Sequence, residues 1–315
     1  MLPPNNPNIL LKNYILKLRD DIKITRLSPL LRRWHIARFK SYRLGASKLG
    51  ISESFYRAII SGDSAMPIWA LKLFVKEDNS LLEKIYRKEI NYTAREKEHI
   101  LPRSITPKLA YYTGYLHGDG HIDSNEKRVS FFDKYTGQLE LMNNLTESLF
   151  NVNGKLYLNK HTPTLDVGRV AINSFLSEVM CINRGRRIHN KVPNTIQTNK
   201  ILLKWYLCGL FDAEGAMPLN PKKRGDTYID IAMKDEKLIK FVKYALERVF
   251  GIESYGPYKR ISDNNATDTI TVETELRIRK LSEVEKFLNS IGTLHPDKIR
   301  RKGLMLNLLK NNMRP

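Results

Sequence analysis

Two carboxylates in this sequence stand in matching surroundings, and their chemistry suggests a cation site. Asp119 precedes the last glycine of the segment YTGYLHGDG, and Glu214 precedes the last glycine of the segment LCGLFDAEG. Two carboxylates that are forced together repel each other unless they share a proton or a cation. Hard divalent cations prefer oxygen ligands of this kind, so the pair predicts a Mg²⁺ site where the two segments meet.

Small residues in both segments would let them meet as packed helices. Gly114 and Gly118 stand at positions i and i+4, which places them on one face of a helix. Gly209 and Ala213 share this spacing. Helices that lack bulk along one face can bring their backbones close together, and both carboxylates would then emerge at the same end. A helix that simply ends at a glycine cap would explain one segment, but two matched copies favour the paired arrangement.

The two segments resemble the paired motifs of monomeric LAGLIDADG homing endonucleases, and the resemblance covers roughly residues 105–310. It implies an α+β fold of two pseudo-symmetric halves, each with a saddle-shaped antiparallel sheet that lies on DNA. It also implies a monomeric, site-specific double-strand DNA endonuclease with a long asymmetric target. Mg²⁺ would be the cofactor, with Mn²⁺ as an alternative ion.

The order of helical and strand patterns repeats within this region. Lys134 and Phe150 in the first copy correspond to Lys234 and Phe250 in the second, which indicates an internal duplication. The sequence predicts five parts. These are a leader with a helical segment at 1–27, a helix-turn-helix-like helical domain at 28–76, a charged linker at 77–104, and LAGLIDADG halves at 105–197 and 198–315.

The resemblance assigns roles to the residues at the ends of the two motifs. Asp119 and Glu214 take the positions of the family's metal-binding acids, and the carbonyl oxygens of Gly118 and Ala213 would complete part of the coordination. Phosphodiester hydrolysis needs an activated water and a stabilised leaving oxygen, and metal ions held at such acids supply both. Each acid would serve one strand of the duplex.

A basic residue near each scissile phosphate is a further implication of the resemblance. The segment 291–298 fits this pattern in half two, so Lys298 is the expected residue there. The internal repeat points to Arg186 in half one, with Arg187 and Lys191 as alternatives. Because arginine does not readily deprotonate to act as a base, we expect the strand served by half one to be cut more slowly.

His117 is a second departure from the family, which commonly has an acid at this position, whereas half two keeps Asp212. A lone histidine on a helix is more often packed than catalytic. The sequence therefore predicts a structural role for His117.

Polar and apolar side chains alternate along the predicted strands, which gives each sheet one buried and one exposed face. An ordinary α+β protein simply hydrates such a face. In the family that the motifs resemble, this face lies in the major groove, where Lys and Arg contact phosphates and guanines while Asn and Ser read other bases. The candidate DNA contacts are Arg128, Ser130, Lys134, Lys155, Tyr157, Asn159, Lys234, Tyr258 and Arg260.

A glycine turn at Gly50 separates two further helical patterns near the N-terminus, and Ser52 can cap the second of them. The spacing resembles a repressor-type helix-turn-helix that presents Ser54 and Arg57 to DNA. An ordinary helical hairpin is the alternative. Two residues depart from the helix-turn-helix pattern, Gly45 and Tyr56, where leucine and another aliphatic residue are usual.

The charge balance points to a polyanionic partner. The chain has 53 Lys and Arg against 33 Asp and Glu, a formal net charge of +20, and nucleic acid is the commonest partner of so basic a protein. The two cysteines, Cys181 and Cys208, give neither zinc-site spacing nor a disulfide framework. The sequence shows neither a signal peptide nor a membrane span, so we expect an intracellular protein of the cytoplasm, nucleoid or an organelle.

Two other functions fit the same residues. The first is a non-catalytic transcriptional regulator that binds DNA, as in sporulation regulators that join a degenerate LAGLIDADG-like domain to a helix-turn-helix. Such regulators generally lack the acids, which this chain keeps. The second is an RNA maturase that assists the splicing of its own intron, which the same fold can do. An intein is not expected, because the chain starts at Met1 and its ends lack the splicing residues.

Overall fold

The computed structural model describes residues 2–7, 9–11, 13–94, 97–125, 127–158, 161–185, 190–218, 227–264 and 269–312. Two predicted site residues, Asn159 and Arg186, lie outside these ranges, as does Arg187. Among the helices within them, none combines the length and the apolar character that a membrane crossing requires.

The N-terminal third of the chain is mainly helical, with short strands that tie it together. Its elements are β1 (Ile9–Leu10), a 3-10 helix (Tyr14–Lys17), β2 (Lys23–Thr25), α1 (Ser28–Arg38), α2 (Tyr42–Leu49), α3 (Glu53–Ser61), β3 (Met66–Pro67), α4 (Ile68–Glu77), α5 (Ser80–Tyr86), β4 (Asn91–Thr93) and β5 (Ser104–Ile105). Strand β2 pairs with both β3 and β4, while β1 pairs with β5. All of these pairings are antiparallel.

The leader is not the helical segment that the sequence predicts. It contributes strands β1 and β2. The Tyr14 side chain is buried, and its hydroxyl oxygen lies 2.9 Å from the hydroxyl oxygen of Tyr92. The ring of Tyr14 also meets Phe175 edge-on at 5.6 Å. Pairing and packing with distant parts of the chain therefore override the local helical preference of this segment.

The segment 77–104, predicted as a charged linker or solvated helix, is more tightly packed than the sequence indicates. Helix α5 buries Leu81, Leu82 and Ile85, and β4 buries Tyr92. The charged residues within α5 lie on its exposed side, a pattern that charge counts alone do not separate from a linker.

Helices α2 and α3 form a helix-turn-helix around Gly50, whose φ of +68° suits glycine. Ser52 caps α3, since its hydroxyl accepts a hydrogen bond from the amide of Phe55 at 3.3 Å. Tyr56 is fully buried, and a Cβ atom at Gly45 would lie 2.5 Å from its hydroxyl oxygen. The two departures from the pattern thus compensate each other: the tyrosine ring fills the space that the missing leucine leaves.

The rest of the chain consists of two halves with the same order of elements. Half one contains α6 (Pro107–Asp119), β6 (Gly120–Ile122), β7 (Val129–Phe132), α7 (Thr136–Phe150), β8 (Lys155–Tyr157), β9 (Thr164–Val167) and α8 (Val170–Glu178). The short α9 (Asn194–Thr198) connects it to half two. Half two contains α10 (Lys200–Glu214), β10 (Gly215–Ala216), β11 (Ile229–Met233), α11 (Glu236–Val249), β12 (Tyr255–Asn264), β13 (Thr269–Ile278), α12 (Leu281–Ser290) and α13 (Pro296–Asn312).

The two halves build sheets of the same topology. The strand orders are β6-β7-β9-β8 and β10-β11-β13-β12, and every pairing is antiparallel. This repetition confirms the predicted α+β class with two pseudo-symmetric halves and an N-terminal helical part. The halves differ in their last hairpin: β12 and β13 have 10 residues each, whereas β8 and β9 have 3 and 4.

Candidate functional site

The two motif helices, α6 and α10, touch along their small residues. A Cβ atom at Gly114 would lie 2.0 Å from the carbonyl oxygen of Tyr206, and one at Gly209 would lie 2.1 Å from that of Tyr111. Real Cβ atoms do not approach oxygen so closely, so each helix needs glycine at this point. The contact is reciprocal, as a pseudo-twofold axis between the helices requires.

The C-terminal ends of the same helices also meet. A Cβ atom at Gly118 would lie 2.4 Å from the Cβ of Ala213 and 2.8 Å from the Cγ of Glu214. Asp119 and Glu214 end their helices and are both half-buried. The structure therefore brings the two candidate metal-binding acids to the same end of the helix pair, next to the carbonyl groups of Gly118 and Ala213.

Two residues before the acids, each motif helix places a polar side chain against a tyrosine of the partner helix. The hydroxyl of Tyr111 donates to Oδ2 of Asp212 at 2.7 Å, and the hydroxyl of Tyr206 lies 2.8 Å from Nδ1 of His117. Both sites are fully enclosed. Burial lowers the pKa of His117 to about 3, so the imidazole is neutral and packed at ordinary pH.

Asp212 organises the segment that follows the last helix of half two. Its carboxylate accepts hydrogen bonds from the amides of Leu294 and His295, at 2.8 and 3.1 Å, and from the hydroxyl of Thr293. Burial raises the pKa of Asp212, although Lys298 and these hydrogen bonds act in the opposite direction. The carboxylate therefore fixes the start of α13 against the end of α10.

Lys298 lies one turn further along, at the C-terminal end of α10. Its Nζ donates to the carbonyl oxygens of Phe211 and Asp212, both at 2.7 Å, where a cation also suits the helix dipole. Burial lowers the pKa of Lys298, while four carboxylates act to raise it. These are Asp212, Asp119, Asp133 and Glu214. The negative charges of both motif acids therefore favour the protonated form of Lys298.

Asp133 and His295 also belong to this site, although the sequence does not reveal them. Oδ2 of Asp133 in half one lies 3.2 Å from Nε2 of His295 in half two, and it accepts a hydrogen bond from the Tyr115 hydroxyl at 2.7 Å. Burial acts to raise the pKa of Asp133, but its hydrogen bonds outweigh burial and hold the pKa below its usual value. Asp133 and His295 are too far apart in the sequence for any spacing rule to connect them. The one local signal is that Asp133 stands at the end of a predicted strand, directly before Lys134.

These groups line a cleft of about 530 Å³ between the two halves. Its charged and ionisable lining residues are Asp119, Asp133, Lys134, Asp212, His295, Asp297, Lys298 and Arg301. Within the described residues no group of three or more side chains is arranged as a complete metal cage. Two carboxylates with adjacent carbonyl oxygens still fit Mg²⁺, which is usually held by one or two carboxylates together with substrate phosphates and water.

The polar face of the half-one sheet is partly closed by its own contacts. Ser130 is buried, and its hydroxyl donates to Oδ1 of Asp166 at 2.6 Å. Arg128 lies over the same carboxylate, 3.3 Å from Oδ2, and 3.4 Å from Asp123. The expected exposure of Ser130 is therefore wrong, because a neighbouring strand supplies an acid that the alternating pattern does not show. Lys155 remains exposed and lies over the ring of Tyr157 at 5.0 Å.

The half-two sheet presents more of its predicted contacts to solvent. Lys234, Tyr258 and Arg260 are exposed, as is Lys134 of half one. The face also carries acids that the sequence analysis did not single out, among them Glu275, which is paired with Arg277. In the N-terminal helix-turn-helix, Ser54 and Arg57 are exposed on α3.

Known proteins were compared with the chain. A family model described as a LAGLIDADG-like domain matches residues 202–292. The glutamine–fructose-6-phosphate aminotransferase (isomerizing) of Methanocaldococcus jannaschii is 28% identical over 231 residues, which are 72% of this chain and 20% of the relative. The chain thus spans about a fifth of the length of that curated relative.

Two solved structures share a partial likeness with the chain. Full-length DUF199/WhiA from Thermotoga maritima aligns with a TM-score of 0.44 at 15% identity, over 67% of this chain and 62% of that one. The homing endonuclease I-DmoI, in complex with DNA and Ca, aligns with a TM-score of 0.42 at 19% identity, over 62% and 97%.

The family match covers half two, from within α10 to just past α12. Half one repeats its element order and its sheet topology, and it contributes the second motif helix to the central contact. A model of a LAGLIDADG-like domain thus matches half two, and half one supplies a second motif helix and a second sheet of the same topology.

Proposed function

We propose that the chain is a site-specific endonuclease that cuts both strands of a long, asymmetric DNA target with the help of Mg²⁺ or Mn²⁺. The observation that carries this proposal is the retention of a carboxylate at the shared end of both motif helices, Asp119 and Glu214, beside a half-buried Lys298. A protein that only binds DNA has no need to hold two acids and a lysine at one end of a helix pair.

Asp119 and Glu214 would hold the divalent ions, together with the carbonyl oxygens of Gly118 and Ala213. Bound there, Mg²⁺ would activate a water and stabilise the leaving oxygen. This chain's own residues orient the reacting groups. The Asp212 carboxylate positions Lys298 by holding the segment that precedes α13.

Lys298 would act on the phosphate that half two serves. Two of its three hydrogen-bond donors are used by the carbonyl oxygens of Phe211 and Asp212, which leaves the third for a phosphate oxygen. Burial lowers its pKa, which favours proton transfer more than an exposed lysine would allow. For half one, Arg186 remains the proposed counterpart by the internal repeat; it follows Gly185 in the sequence, whose amide donates to the carbonyl of Ile122 at 2.9 Å.

Duplex DNA would lie across the polar faces of the two sheets, with the protein acting as a monomer. Exposed cations and an aromatic residue support this placement, namely Lys134, Lys155, Lys234, Tyr258 and Arg260. The exposed Ser54 and Arg57 of α3 would add a second DNA contact. Binding of this kind weakens steeply as salt is added, because phosphate contacts release counterions.

The test is cleavage of a randomised duplex library by the purified protein with Mg²⁺, followed by sequencing of the released ends. We expect recurrent double-strand ends around one long site. The variants Asp119→Asn and Glu214→Gln should lose cleavage by at least about 100-fold and still retain duplex in a pull-down, while the exposed Glu140→Gln on α7 should cut normally. Cleavage at the wild-type rate in either motif variant would refute the metal-site assignment.

The second candidate function is a DNA-binding regulator on the same fold. The well-formed helix-turn-helix of α2 and α3 favours it, because a capped recognition helix serves binding without cleavage. Duplex retention by the wild-type protein, with no released ends under any divalent ion, would support the regulator over the endonuclease. An RNA maturase would instead show binding to its own intron RNA.

A further inference from the structure

A groove rich in basic side chains runs between α1 and α5, and no residue of either motif helix lines it. It encloses about 670 Å³. Its walls contain five cations and a single carboxylate, together with three apolar residues. The charged residues are Arg33, Arg38, Asp78, Lys84, Arg87 and Lys88.

The single acid, Asp78, does not neutralise all of these cations, because its carboxylate oxygens already have hydrogen-bond and ion-pair partners. Asp78 accepts hydrogen bonds from the Trp34 indole at 3.0 Å and from the Ser80 amide and hydroxyl, and it pairs with Arg38 at 2.8 Å. Burial acts to raise its pKa, but these partners outweigh burial and keep the pKa below its usual value. Asp78 thus remains an anion that holds Arg38 in place.

The other four cations have no acidic partner within the described part of the chain. Arg33 makes only a local bond, from Nε to the carbonyl oxygen of Pro29 at 3.2 Å. Lys84 lies in the last turn of α5, and Arg87 and Lys88 follow directly after the helix ends at Tyr86, so the three charges gather at the C-terminal end of α5. All four are exposed, and such a concentration of one sign attracts a polyanion.

The end of α5 is fixed rather than loose, which gives the groove a stable wall. Arg103, just before α6, donates to the carbonyl oxygen of Tyr86 at 2.8 Å and also to that of Lys88. On the opposite wall, the Trp34 ring packs on Phe74 at 5.0 Å. The groove is therefore part of the folded N-terminal unit.

The groove faces away from the recognition helix. Helix α1 contacts α3 through His35, whose Nδ1 lies 2.9 Å from the Tyr56 hydroxyl, and through Arg32, which donates to the carbonyl oxygen of Ile60. Arg33 and Ala37 project from the other side of α1 into the groove. Helix α1, which is about 10 Å wide, therefore lies between α3 and the groove.

The lining favours phosphate groups over bases. Trp34 is the only aromatic residue of the lining, its side chain is buried, and its indole N–H is committed to Asp78. A site that reads bases in a single strand presents aromatic faces for stacking, which this groove does not. Guanidinium and ammonium groups without such a platform bind the backbone independently of sequence.

We propose that the α1–α5 groove binds the phosphate backbone of a second nucleic-acid segment, separate from any duplex held by α3 or by the two sheets. The partner's chemistry is that of a polyphosphate chain. The groove would therefore hold a distant part of the same nucleic acid, or a second molecule, while the rest of the protein remains occupied.

The test is a capture experiment with the full chain. Wild-type protein, saturated with an immobilised duplex, is offered a labelled random-sequence oligonucleotide, and we expect it to hold both. The variant Lys84→Ala/Arg87→Ala/Lys88→Ala should keep the duplex but capture the oligonucleotide about 10-fold less well. Its slope of log affinity for that oligonucleotide against log salt should fall by about 2, since three phosphate contacts are lost.

The matched control removes three cations from one exposed helix elsewhere, Lys237→Ala/Lys240→Ala/Arg248→Ala on α11, and should capture the oligonucleotide as the wild type does. Equal losses in both triple variants would show an effect of net charge alone and overturn the proposal. It would also fail if the wild type captured no second strand, or if a mononucleotide displaced the oligonucleotide at equal phosphate concentration. None of these outcomes depends on whether the protein cleaves DNA.

Discussion

Half one and half two share their topology but differ at the position two residues before each motif acid. Half one has His117, a buried imidazole that meets Tyr206, whereas half two has Asp212, a buried carboxylate that meets Tyr111 and three groups of the segment 293–295. The same helix contact therefore holds a neutral packed imidazole in half one and, in half two, a carboxylate that accepts several hydrogen bonds. Duplicated scaffolds keep their close-packed positions and diverge where a side chain has room for other partners.

The sheets diverge in the same manner. Ser130 pairs across strands with Asp166 in half one, and the corresponding pair in half two is Asp230 with Arg277. The acid of this pair therefore lies on β9 in half one but on β11, the counterpart of β7, in half two. The apolar neighbours on the opposite face of the sheet remain. If the sheets bind DNA as proposed, these differences would let the two halves read different sequences at the two ends of the target.

The largest expected effect is on folding stability, and it comes from the glycine contact between α6 and α10 that the two halves share. Gly114→Ala and Gly209→Ala should each prevent folding, because the new Cβ would fall about 2 Å from a carbonyl oxygen of the partner helix. Gly303→Ala on α13, where no atom lies within 4 Å, should instead stabilise by about 0.5–1 kcal/mol. Urea unfolding measures all three. A motif variant that unfolds within about 1 kcal/mol of the wild type would contradict the close contact.

The next effect separates the halves through pH. His117 has a folded pKa of about 3 against an ordinary 6.5, so its contribution to stability is present above pH 6.5 and is lost as the pH falls towards 3. Between pH 6.5 and 4 the loss should approach about 3 kcal/mol, and His117→Asn should abolish it. Urea unfolding in metal-free buffer at both pH values measures the difference.

Asp212 should show the opposite sign in the same measurement. Its folded pKa is raised, so its contribution is present below the unfolded value of 3.8 and is lost as the pH rises through the folded pKa. Asp212→Asn should therefore leave the acid loss due to His117 in place. Identical pH responses of the two variants would contradict the contrast between the halves.

A smaller effect concerns the two DNA strands and rests on the proposed nuclease activity. Lys298→Ala should slow cleavage of the strand that half two serves by about 100-fold, since it removes a half-buried cation beside the acids. Lys302→Ala, one turn further along α13, should leave the strand ratio unchanged. Nicking of a substrate labelled on each strand reports both rates. Equal slowing of the two strands would refute the assignment of one half to one strand.

The smallest effect concerns the sheet faces. Ser130→Ala should cost about 1 kcal/mol, because it removes a 2.6 Å hydrogen bond to a buried carboxylate. Asp230→Asn should be nearly neutral or slightly stabilising, since burial raises the pKa of Asp230 and so opposes its charged form. Urea unfolding at neutral pH compares them. An equal loss of stability for Asp230→Asn and Ser130→Ala would contradict the predicted difference between the polar sheet faces of the two halves.

Much of the fold could be predicted because it rests on local signals. The capping Thr106 with Pro107 marks the start of α6, and Asn199 caps the start of α10. Periodic apolar residues predict the helices that follow, and the repeat of half one in half two confirms the order of elements. The domain boundaries remain predictions, and the leader and the linker were misread because distant strands and helices, rather than local preference, decide their structure.

The sequence by itself determined the two small-residue motifs, their terminal acids and the excess of positive charge, since these follow from residue type and spacing along one helix. Only the tertiary structure decided that Ser130 is covered by Asp166, that Tyr56 fills the space at Gly45, and that Asp133 meets His295 across the halves. Each of these contacts joins residues on different elements. Its energy depends on three-dimensional packing and burial, which no periodicity along the chain records.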